Sequence, residues 1–204
     1  MKETLVGLIL RHGTTILNES NCFRSWIDIP LAQEGLQQAR DAAQFLKKYK
    51  IKHVICSPLL RAFVTADIAS QGLQVYQHRG LFPWRLGIFS GLSKDDNQEA
   101  LRLFVRNPEV AIPGGECLMD FESRQFAFWE AALKMARKNG LTLYVAHTSN
   151  VISLQNFTTD SDAMEPEDKD TVKPGGVAEI YWDGKVHKIV PVFGQAEQAI
   201  FGGS

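Results

Sequence analysis

The stretch Thr4-Leu5-Val6-Gly7-Leu8-Ile9-Leu10, followed directly by Arg11-His12-Gly13, decides the fold of this chain. The run is apolar, short and closed by polar residues, which is the pattern of a strand buried on both faces in a parallel sheet. Ligands in such sheets bind beyond the carboxyl ends of the strands. Arg11 and His12 are therefore the first candidates for a functional site.

Helices and strands are predicted to alternate through the rest of the chain. Helical periodicity predicts helices over residues 34–49, 59–71, 98–106 and 117–139. Apolar bursts predict strands at 53–56, 75–76 and 141–146, and a hairpin of 177–182 with 186–192 around Asp183-Gly184. This order predicts an α/β fold, a three-layer sandwich with a mostly parallel central sheet flanked by helices, formed by residues 1–204 as a single domain.

Composition limits the classes of partner. With 204 residues, of which 45% are hydrophobic and 22% charged, the chain has enough apolar side chains for one substantial core. The net charge of -1 provides no overall basic field, so neither nucleic acid nor an anionic membrane is an expected partner. Any anion has to be bound by a local cluster of cationic side chains.

The cysteines indicate a reducing environment. The chain has 3 of them, Cys22, Cys56 and Cys117, with no CxxC pair, which argues against a disulfide framework or a zinc knuckle. A cytoplasmic location is expected, and no targeting segment is recognised. The sequence leaves the oligomeric state open, with a homodimer as one option.

Basic side chains recur where the central strands are predicted to end. Arg11 and His12 follow the first strand, Ser57 and Arg61 the second, and His147 the strand at 141–146. Guanidinium groups bind phosphate oxygens in a bidentate manner, and a neutral imidazole can attack phosphorus. The cluster predicts a site for a small phosphorylated substrate, and it would repel a divalent cation, so neither a metal nor a cofactor is expected.

Five blocks of the sequence resemble those of a known family, the phosphoglycerate-mutase-like histidine phosphatase superfamily. The blocks appear in the order of that family over about residues 5 to 182. They are Arg11-His12-Gly13-Thr14-Thr15-Ile16-Leu17-Asn18, Asp28-Ile29-Pro30-Leu31 with Gly35 and Gln38-Ala39, Ser57-Pro58-Leu59-Leu60-Arg61-Ala62 with Thr65-Ala66, Pro113-Gly114-Gly115-Glu116, and the strand that ends at His147.

The resemblance implies a role for each matching side chain. His12 would be the nucleophile that forms a phosphohistidine, Arg11 and Arg61 would bind the phosphoryl oxygens, and His147 would be the fourth member of the pocket. Further candidates to bind the phosphate or the substrate are Asn18, Thr15, Ser57 and Thr148.

One departure from the family concerns the general acid. The family carries a glutamate in the loop after the third strand, where this chain has Pro83, and Ser90 replaces a second glutamate. No carboxylate lies between Leu73 and Leu92. Either the substrate has a good leaving group, such as an anhydride, an aryl phosphate or a phosphohistidine, or a carboxylate from elsewhere reaches the site, the candidates being Asp95, Asp96 and Glu165.

The expected function is a phosphohydrolase that acts through phospho-His12. The length of the chain argues against the mutase itself, because the resemblance implies larger insertions there. The alternatives are a phosphohistidine phosphatase and a catalytically impaired phosphate-binding or regulatory domain. Specificity is expected to reside in residues 80–97, where Trp84 and Phe82 could line a pocket, and in residues 107–116 and 158–173.

Overall fold

A computed structural model describes residues 3–159, 172–184 and 187–194. The strands are β1 (Thr4–Arg11), β2 (His53–Cys56), β3 (Val75–Gln77), β4 (Thr142–Ala146), β5 (Val177–Trp182) and β6 (His187–Phe193). The α-helices are α1 (Ile16–Glu19), α2 (Gln33–Leu46), α3 (Leu60–Ala69), α4 (Lys94–Arg106), α5 (Leu118–Asn139) and α6 (Thr148–Thr159), and two 3-10 turns lie at Arg79–Leu81 and Gly87–Phe89.

The six strands form one mixed sheet in the order β3-β2-β4-β1-β5-β6. The first four strands in this order are parallel, whereas β5 is antiparallel to β1 and β6 is antiparallel to β5. The predicted mostly parallel sheet and the hairpin are thus confirmed, with Val186 outside the described residues.

Helices cover both faces of the sheet, as a buried parallel strand requires. On one face Leu8 and Leu10 of β1 pack in a core cluster with Ala42 of α2 and Ala66 of α3. On the other face Ile9 packs in a cluster with residues of α5 and α6, including Trp129, Leu133 and Leu154. The alternation of β1 side chains between two apolar clusters explains why its sequence is apolar throughout.

Two helices were not predicted from the sequence. The short helix α1 follows the Arg11-His12-Gly13 triplet, and α6 begins at Thr148, immediately after β4. The first half of α6 is rich in Thr, Ser, Asn, Val and Ile, which have only modest intrinsic helix propensity. Burial of Val151 and Leu154 in the core stabilises this helix in place of local propensity.

Helix α4 begins a turn earlier than its periodicity predicts. The hydroxyl of Ser93 caps it by accepting a hydrogen bond from Asp96 N (3.4 Å), and Asp95 and Asp96 lie in its first turn, where they interact favourably with the helix dipole. The earlier start places Lys94 at the first helical position. No helix in the described ranges has the length and apolar character needed to cross a membrane.

Candidate active site

The carboxyl ends of the three central parallel strands meet at one edge of the sheet. Arg11 at the end of β1 pairs with Ala146 at the end of β4, and the N–H of His12 donates to Ala146 O at 3.0 Å. From β2, the N–H of Ser57 donates to Val145 O at 2.9 Å. This register brings together the His12 and His147 rings, whose centroids lie 5.0 Å apart.

A close approach of two glycines fixes the loop that carries His12. A Cβ atom on Gly13 would lie 2.3 Å from Gly35 O, so no side chain fits at this position. The N–H of Gly13 donates to Thr65 Oγ1 (3.2 Å), and that hydroxyl donates to Arg61 O (2.7 Å). The loop after β1 is thereby joined to the helix that carries Arg61.

The hydrogen bond of His12 defines its tautomer. Its Nδ1 lies 2.7 Å from Gly13 O, and since a carbonyl oxygen only accepts, Nδ1 carries the proton. Burial, followed by the charges of Arg61, Arg24 and Arg11, lowers the pKa of His12 well below its ordinary value. The imidazole is therefore neutral at pH 7, and its Nε2 has a free electron pair.

Arg61 is oriented by backbone carbonyls. It is fully buried, and its two terminal nitrogens donate to Ile27 O and to Ser25 O, each at 2.8 Å. Each terminal nitrogen carries two N–H groups, so donors remain for a ligand. The side chain is thus held in one orientation before a substrate binds, which is what electrostatic stabilisation of a transition state requires.

A cavity of about 510 Å³ opens beside these side chains. Basic and imidazole side chains line it from five positions: His12, Arg24, Arg61, Lys94 and His147. Uncharged polar residues contribute Asn21, Ser25, Gln98, Thr148 and Ser149, and apolar ones contribute Phe23, Pro83, Trp84, Leu86, Leu101 and Ile152. No aspartate or glutamate is among the described residues that line it, so the cavity suits an anion.

Two lining residues have buried polar atoms without partners. Neither ring nitrogen of His147 nor the hydroxyl of Thr148 has a hydrogen-bond partner among the described residues. Burial, followed by the charge of Arg61 and the proximity of His12, lowers the pKa of His147 well below its ordinary value. Because unpartnered buried polar groups are unfavourable, oxygens of a bound ligand are the partners that this arrangement favours.

Arg11 lies outside the cavity lining but close to it. It is a cause of the lowered pKa of His12, and one of its terminal nitrogens donates to Val172 O at 3.1 Å. Burial and the charge of Arg24 lower the pKa of Arg11 to about 9. Its predicted role on the phosphoryl oxygens stays a prediction.

Three residues that were predicted to bind the substrate form hydrogen bonds within their own loops. Asn18 Oδ1 accepts from the N–H (3.0 Å) and the hydroxyl (2.8 Å) of Thr15 and so caps α1, and Ser57 Oγ accepts from Leu59 N (3.4 Å). None of the three lines the cavity among the described residues, whereas the fourth candidate, Thr148, does. A substrate contact for Asn18, Thr15 and Ser57 stays a prediction.

The loop at Pro83 is held firmly without offering a carboxylate. Pro83 O accepts from Trp26 Nε1 (2.8 Å) and from Arg124 (2.9 Å), while Phe82 stacks on Trp26 with ring centroids 4.4 Å apart. The carboxylate of Glu116 binds Arg124 and the N–H of Arg85. It therefore fixes the loop from outside the cavity.

Three carboxylates were considered as replacements for the missing acid, and the two that the structure describes do not line the cavity. Asp95 and Asp96 are exposed on the first turn of α4, and Asp95 accepts a hydrogen bond from Asn21 at 2.8 Å. Glu165 lies outside the described residues. In the described part of the chain, no group of His, Cys, Asp and Glu is arranged to hold a metal ion.

Sequence reasoning missed several residues of the site. Arg24 and Lys94 line the cavity, and the only signal for them was their place in loops after the first and third strands. A buried amide pair was also missed: Asn150 Oδ1 accepts from His147 N (3.1 Å), and its Nδ2 donates to Gln125 Oε1 (3.0 Å). This pair connects α5 to the backbone of His147 and has no linear sequence signature.

Known proteins resemble this chain in sequence over most of its length. A 2,3-bisphosphoglycerate-dependent phosphoglycerate mutase of Chlamydia trachomatis is 25% identical, over 92% of this chain and 98% of the relative. A crystal structure of a phosphoglycerate mutase from Thermus thermophilus is also 25% identical, with a TM-score of 0.69 over 94% of this chain and 99% of that chain. The alignment with the Chlamydia trachomatis mutase runs over 224 positions, more than the 204 residues of this chain, so that relative has insertions relative to this chain. The expectation that the shorter length argues against mutase activity stays a prediction.

A phosphatase shares the fold as well. The mycobacterial glucosyl-3-phosphoglycerate phosphatase has a TM-score of 0.76 over 96% of this chain and 100% of its own, and its 22% identity supports the fold alone. The model of the histidine phosphatase superfamily (branch 1) matches residues 8–190. This match covers every residue that lines the cavity and all five blocks of the sequence, and the chain therefore belongs to the histidine phosphatase superfamily.

Proposed function

We propose that this protein is a phosphohydrolase that transfers a phosphoryl group first to His12 and then to water. The observation that carries the proposal is the 2.7 Å contact between His12 Nδ1 and Gly13 O in a cavity lined by cationic groups. This contact makes Nε2 the unprotonated nitrogen of a neutral imidazole. Such an imidazole is a nucleophile at neutral pH without needing a separate base.

In the first step, His12 Nε2 forms a bond to phosphorus while the bond between phosphorus and the leaving oxygen breaks. Charge spreads over the three equatorial oxygens in the transition state, so catalysis depends on positioned donors. Arg61 is held by two backbone carbonyls, and His147 and Thr148 have polar atoms without partners in the described residues. These groups are the donors that we assign to the equatorial oxygens.

In the second step, water attacks the phosphohistidine, phosphate is released and neutral His12 returns. This route favours leaving groups that need little protonation, because Pro83 stands where the family has its acid and no carboxylate is found among the described lining residues. Phosphatase activity therefore agrees better with the site than mutase activity, in which the leaving group is the poorly stabilised alkoxide of a phosphoglycerate.

The test is turnover of p-nitrophenyl phosphate by the wild type, His12→Ala and His53→Ala, the last being a control on the exposed surface of β2. We expect turnover in the wild type and the control, a loss of at least about 10⁴-fold in His12→Ala, and an acid-labile phosphoryl group on the wild type after rapid quenching. Retained activity in His12→Ala would disprove the route.

The same experiment decides between an enzyme and a binding domain. If the wild type turns over neither aryl phosphates nor phosphohistidine but still binds vanadate or phosphate, the chain is a phosphate-binding domain. Preference for phosphohistidine over every oxygen ester would identify the substrate as a phosphoprotein.

A further inference from the structure

Two cationic side chains of the cavity are not used by the phosphoryl transfer described above. They are Arg24, which is partly buried, and Lys94 at the start of α4. The only hydrogen bond of the Arg24 guanidinium to the described residues is a long one to Cys22 O (3.4 Å), and the Lys94 ammonium makes none. Neither has a carboxylate ion-pair partner in the described part of the chain, so both charges are available to a ligand.

Backbone pairing holds the two segments that carry these side chains beside each other. Cys22 and Ser93 form an isolated antiparallel bridge, and Lys94 N donates to Asn21 O at 3.0 Å. Phe23 N donates to Leu92 O at 2.9 Å on the same pair of segments. Residues 21–24 and 91–94 are therefore joined, and Arg24 from the first segment and Lys94 from the second both line the cavity.

Both cations line the same cavity as the two histidines. The charge of Arg24 lowers the pKa of His12, of His147 and of Lys94, so Arg24 lies near all three side chains.

We propose that Arg24 and Lys94 bind an anionic leaving group, and that the substrate is an organic diphosphate whose terminal phosphoryl group is transferred to His12. The inference rests on the proposed function and specifies its substrate. The bond between the bridging oxygen and the terminal phosphorus breaks, and its electron pair stays on the bridging oxygen. The leaving group is then an organic monophosphate, held by Arg24 and Lys94, and water later removes the phosphoryl group from His12 as inorganic phosphate.

This substrate class explains the missing acid. A departing phosphate monoester has a second pKa of about 6, so it leaves as a dianion without taking up a proton. An alcohol leaving group needs the proton, and general acid catalysis of that kind contributes about 10²–10⁴-fold. Cations next to the bridging oxygen stabilise the charge that develops on an anionic leaving group, whereas an alkoxide is stabilised by a proton from a carboxylic acid.

The rest of the cavity indicates an apolar organic group. Phe23, Trp84, Leu86, Leu101 and Ile152 line it together with the cations. A volume of about 510 Å³ accommodates a diphosphate and a small hydrocarbon substituent. Isopentenyl diphosphate has this composition and is a suitable probe, with isopentenyl monophosphate as the matched substrate that lacks the anionic leaving group.

The experiment compares kcat/KM for four compounds: isopentenyl diphosphate, isopentenyl monophosphate, 3-phosphoglycerate and p-nitrophenyl phosphate. We expect the wild type to prefer the diphosphate over the monophosphate by at least about 100-fold. 3-Phosphoglycerate has a second anionic group, its carboxylate, but its phosphoryl group is an alkyl monoester. It should therefore be as poor a substrate as isopentenyl monophosphate. Equal rates for the two isopentenyl compounds, or preference for 3-phosphoglycerate, would overturn the proposal.

Variants test whether the two cations cause the preference for the diphosphate over the monophosphate. Arg24→Gln combined with Lys94→Gln should lower the ratio of diphosphate to monophosphate kcat/KM by about 100-fold. Arg40→Gln, an exposed arginine of α2, is the matched control and should leave the ratio as in the wild type. An equal loss on both isopentenyl compounds would show that the cations act on the transferred phosphoryl group, which contradicts the proposed role.

A binding measurement separates failure of this proposal from failure of the proposed function. Calorimetry of the wild type should give at least about 10-fold tighter binding of methylenediphosphonate than of methylphosphonate, a ratio that falls towards one in the double variant. If p-nitrophenyl phosphate is turned over but the diphosphonate preference is absent, the substrate class is wrong and the phosphatase stands. If the preference is present without any turnover, the diphosphate site stands and the hydrolase is wrong.

Discussion

The cavity has two ends that differ in how they are built. At the inner end, His12, Arg61 and His147 are nearly fully buried and are positioned by strand ends and by backbone hydrogen bonds. At the outer end, Arg24 and Lys94 are partly exposed and are positioned by the pairing of two loops. Under the proposals made above, the inner end carries the chemistry of phosphoryl transfer, and the outer end selects the group that leaves.

The two ends differ because strand ends and loops tolerate different amounts of change in sequence and conformation. Strand ends in a parallel sheet are fixed by register and by the packed layers, so side chains placed there keep one geometry. Loops tolerate change in sequence and conformation, and recognition of different substrates is built on them. In this chain the loop of Pro83 lacks the acid of its family, while the inner end has both histidines.

The largest expected effect is the loss of activity on substitution of Arg61, at the inner end of the cavity. Arg61→Lys keeps the charge but cannot bond Ile27 O and Ser25 O and also hold a phosphoryl oxygen in the same fork. We expect kcat/KM to fall by about 10²–10³-fold for every phosphorylated substrate alike. Steady-state kinetics on diphosphate and aryl phosphate measure this, with the far-ultraviolet circular dichroism spectrum as the control for folding. A loss confined to one leaving group would place Arg61 at the outer end.

The next effect is a gain of function at Pro83. Pro83→Glu restores a carboxylic acid to the cavity wall while the backbone carbonyl of this residue remains available to Trp26 and Arg124. Turnover of alkyl monophosphates should rise by about 10–10²-fold, with little change for p-nitrophenyl phosphate. Pro83→Gln is the matched control, since the amide has similar shape and no acidic proton. If both variants behave like the wild type, a proton donor is already present, and Glu165→Gln then tests the remaining candidate.

The two buried histidines should make stability depend on pH. Because burial lowers the pKa of His12 and of His147 in the folded state, only the unfolded chain takes up these protons as the pH falls below about 6.5. Stability is therefore complete above that pH and is lost below it, with a slope that approaches about 1.4 kcal/mol per pH unit for each imidazole.

Urea unfolding between pH 7 and 5, in buffers free of phosphate, measures this slope. His147→Asn should reduce it, and His53→Asn, on the exposed surface of β2, should not. A slope that His147→Asn leaves unchanged would mean that His147 is protonated in the folded state at these pH values.

The smallest effects distinguish two neighbouring residues of α6. Thr148→Val removes a hydroxyl without a partner in the described residues, so phosphate affinity should fall by about 5–10-fold with no loss of stability. Ser149→Ala removes the oxygen that accepts from Trp84 N (3.2 Å), so the free energy of unfolding should fall by about 1 kcal/mol. Calorimetric binding and thermal unfolding of both variants test the contrast. Destabilisation by Thr148→Val would show that its hydroxyl has a structural partner.

The sequence by itself determined the sheet and most of the inner end of the cavity. An apolar run that ends in Arg11-His12-Gly13 specifies a buried strand with an arginine and a histidine at its carboxyl end, because strand burial and side-chain alternation are local properties. The ends of β2 and β4 could be located in the same way, and parallel pairing places all three at one edge of the sheet. The residue pattern alone was therefore enough to group His12, Arg61 and His147.

Only the tertiary structure decided the outer end and the supports of the inner one. Arg24 and Lys94 line one cavity because residues 21–24 pair with residues 91–94, a contact that neither segment encodes alone. Asn150 reaches Gln125 because α6 packs on α5, although the local propensity of α6 is modest. Such contacts depend on the free energy of the whole packed core, so the arrangement of the outer end is a property of the fold and not of a motif.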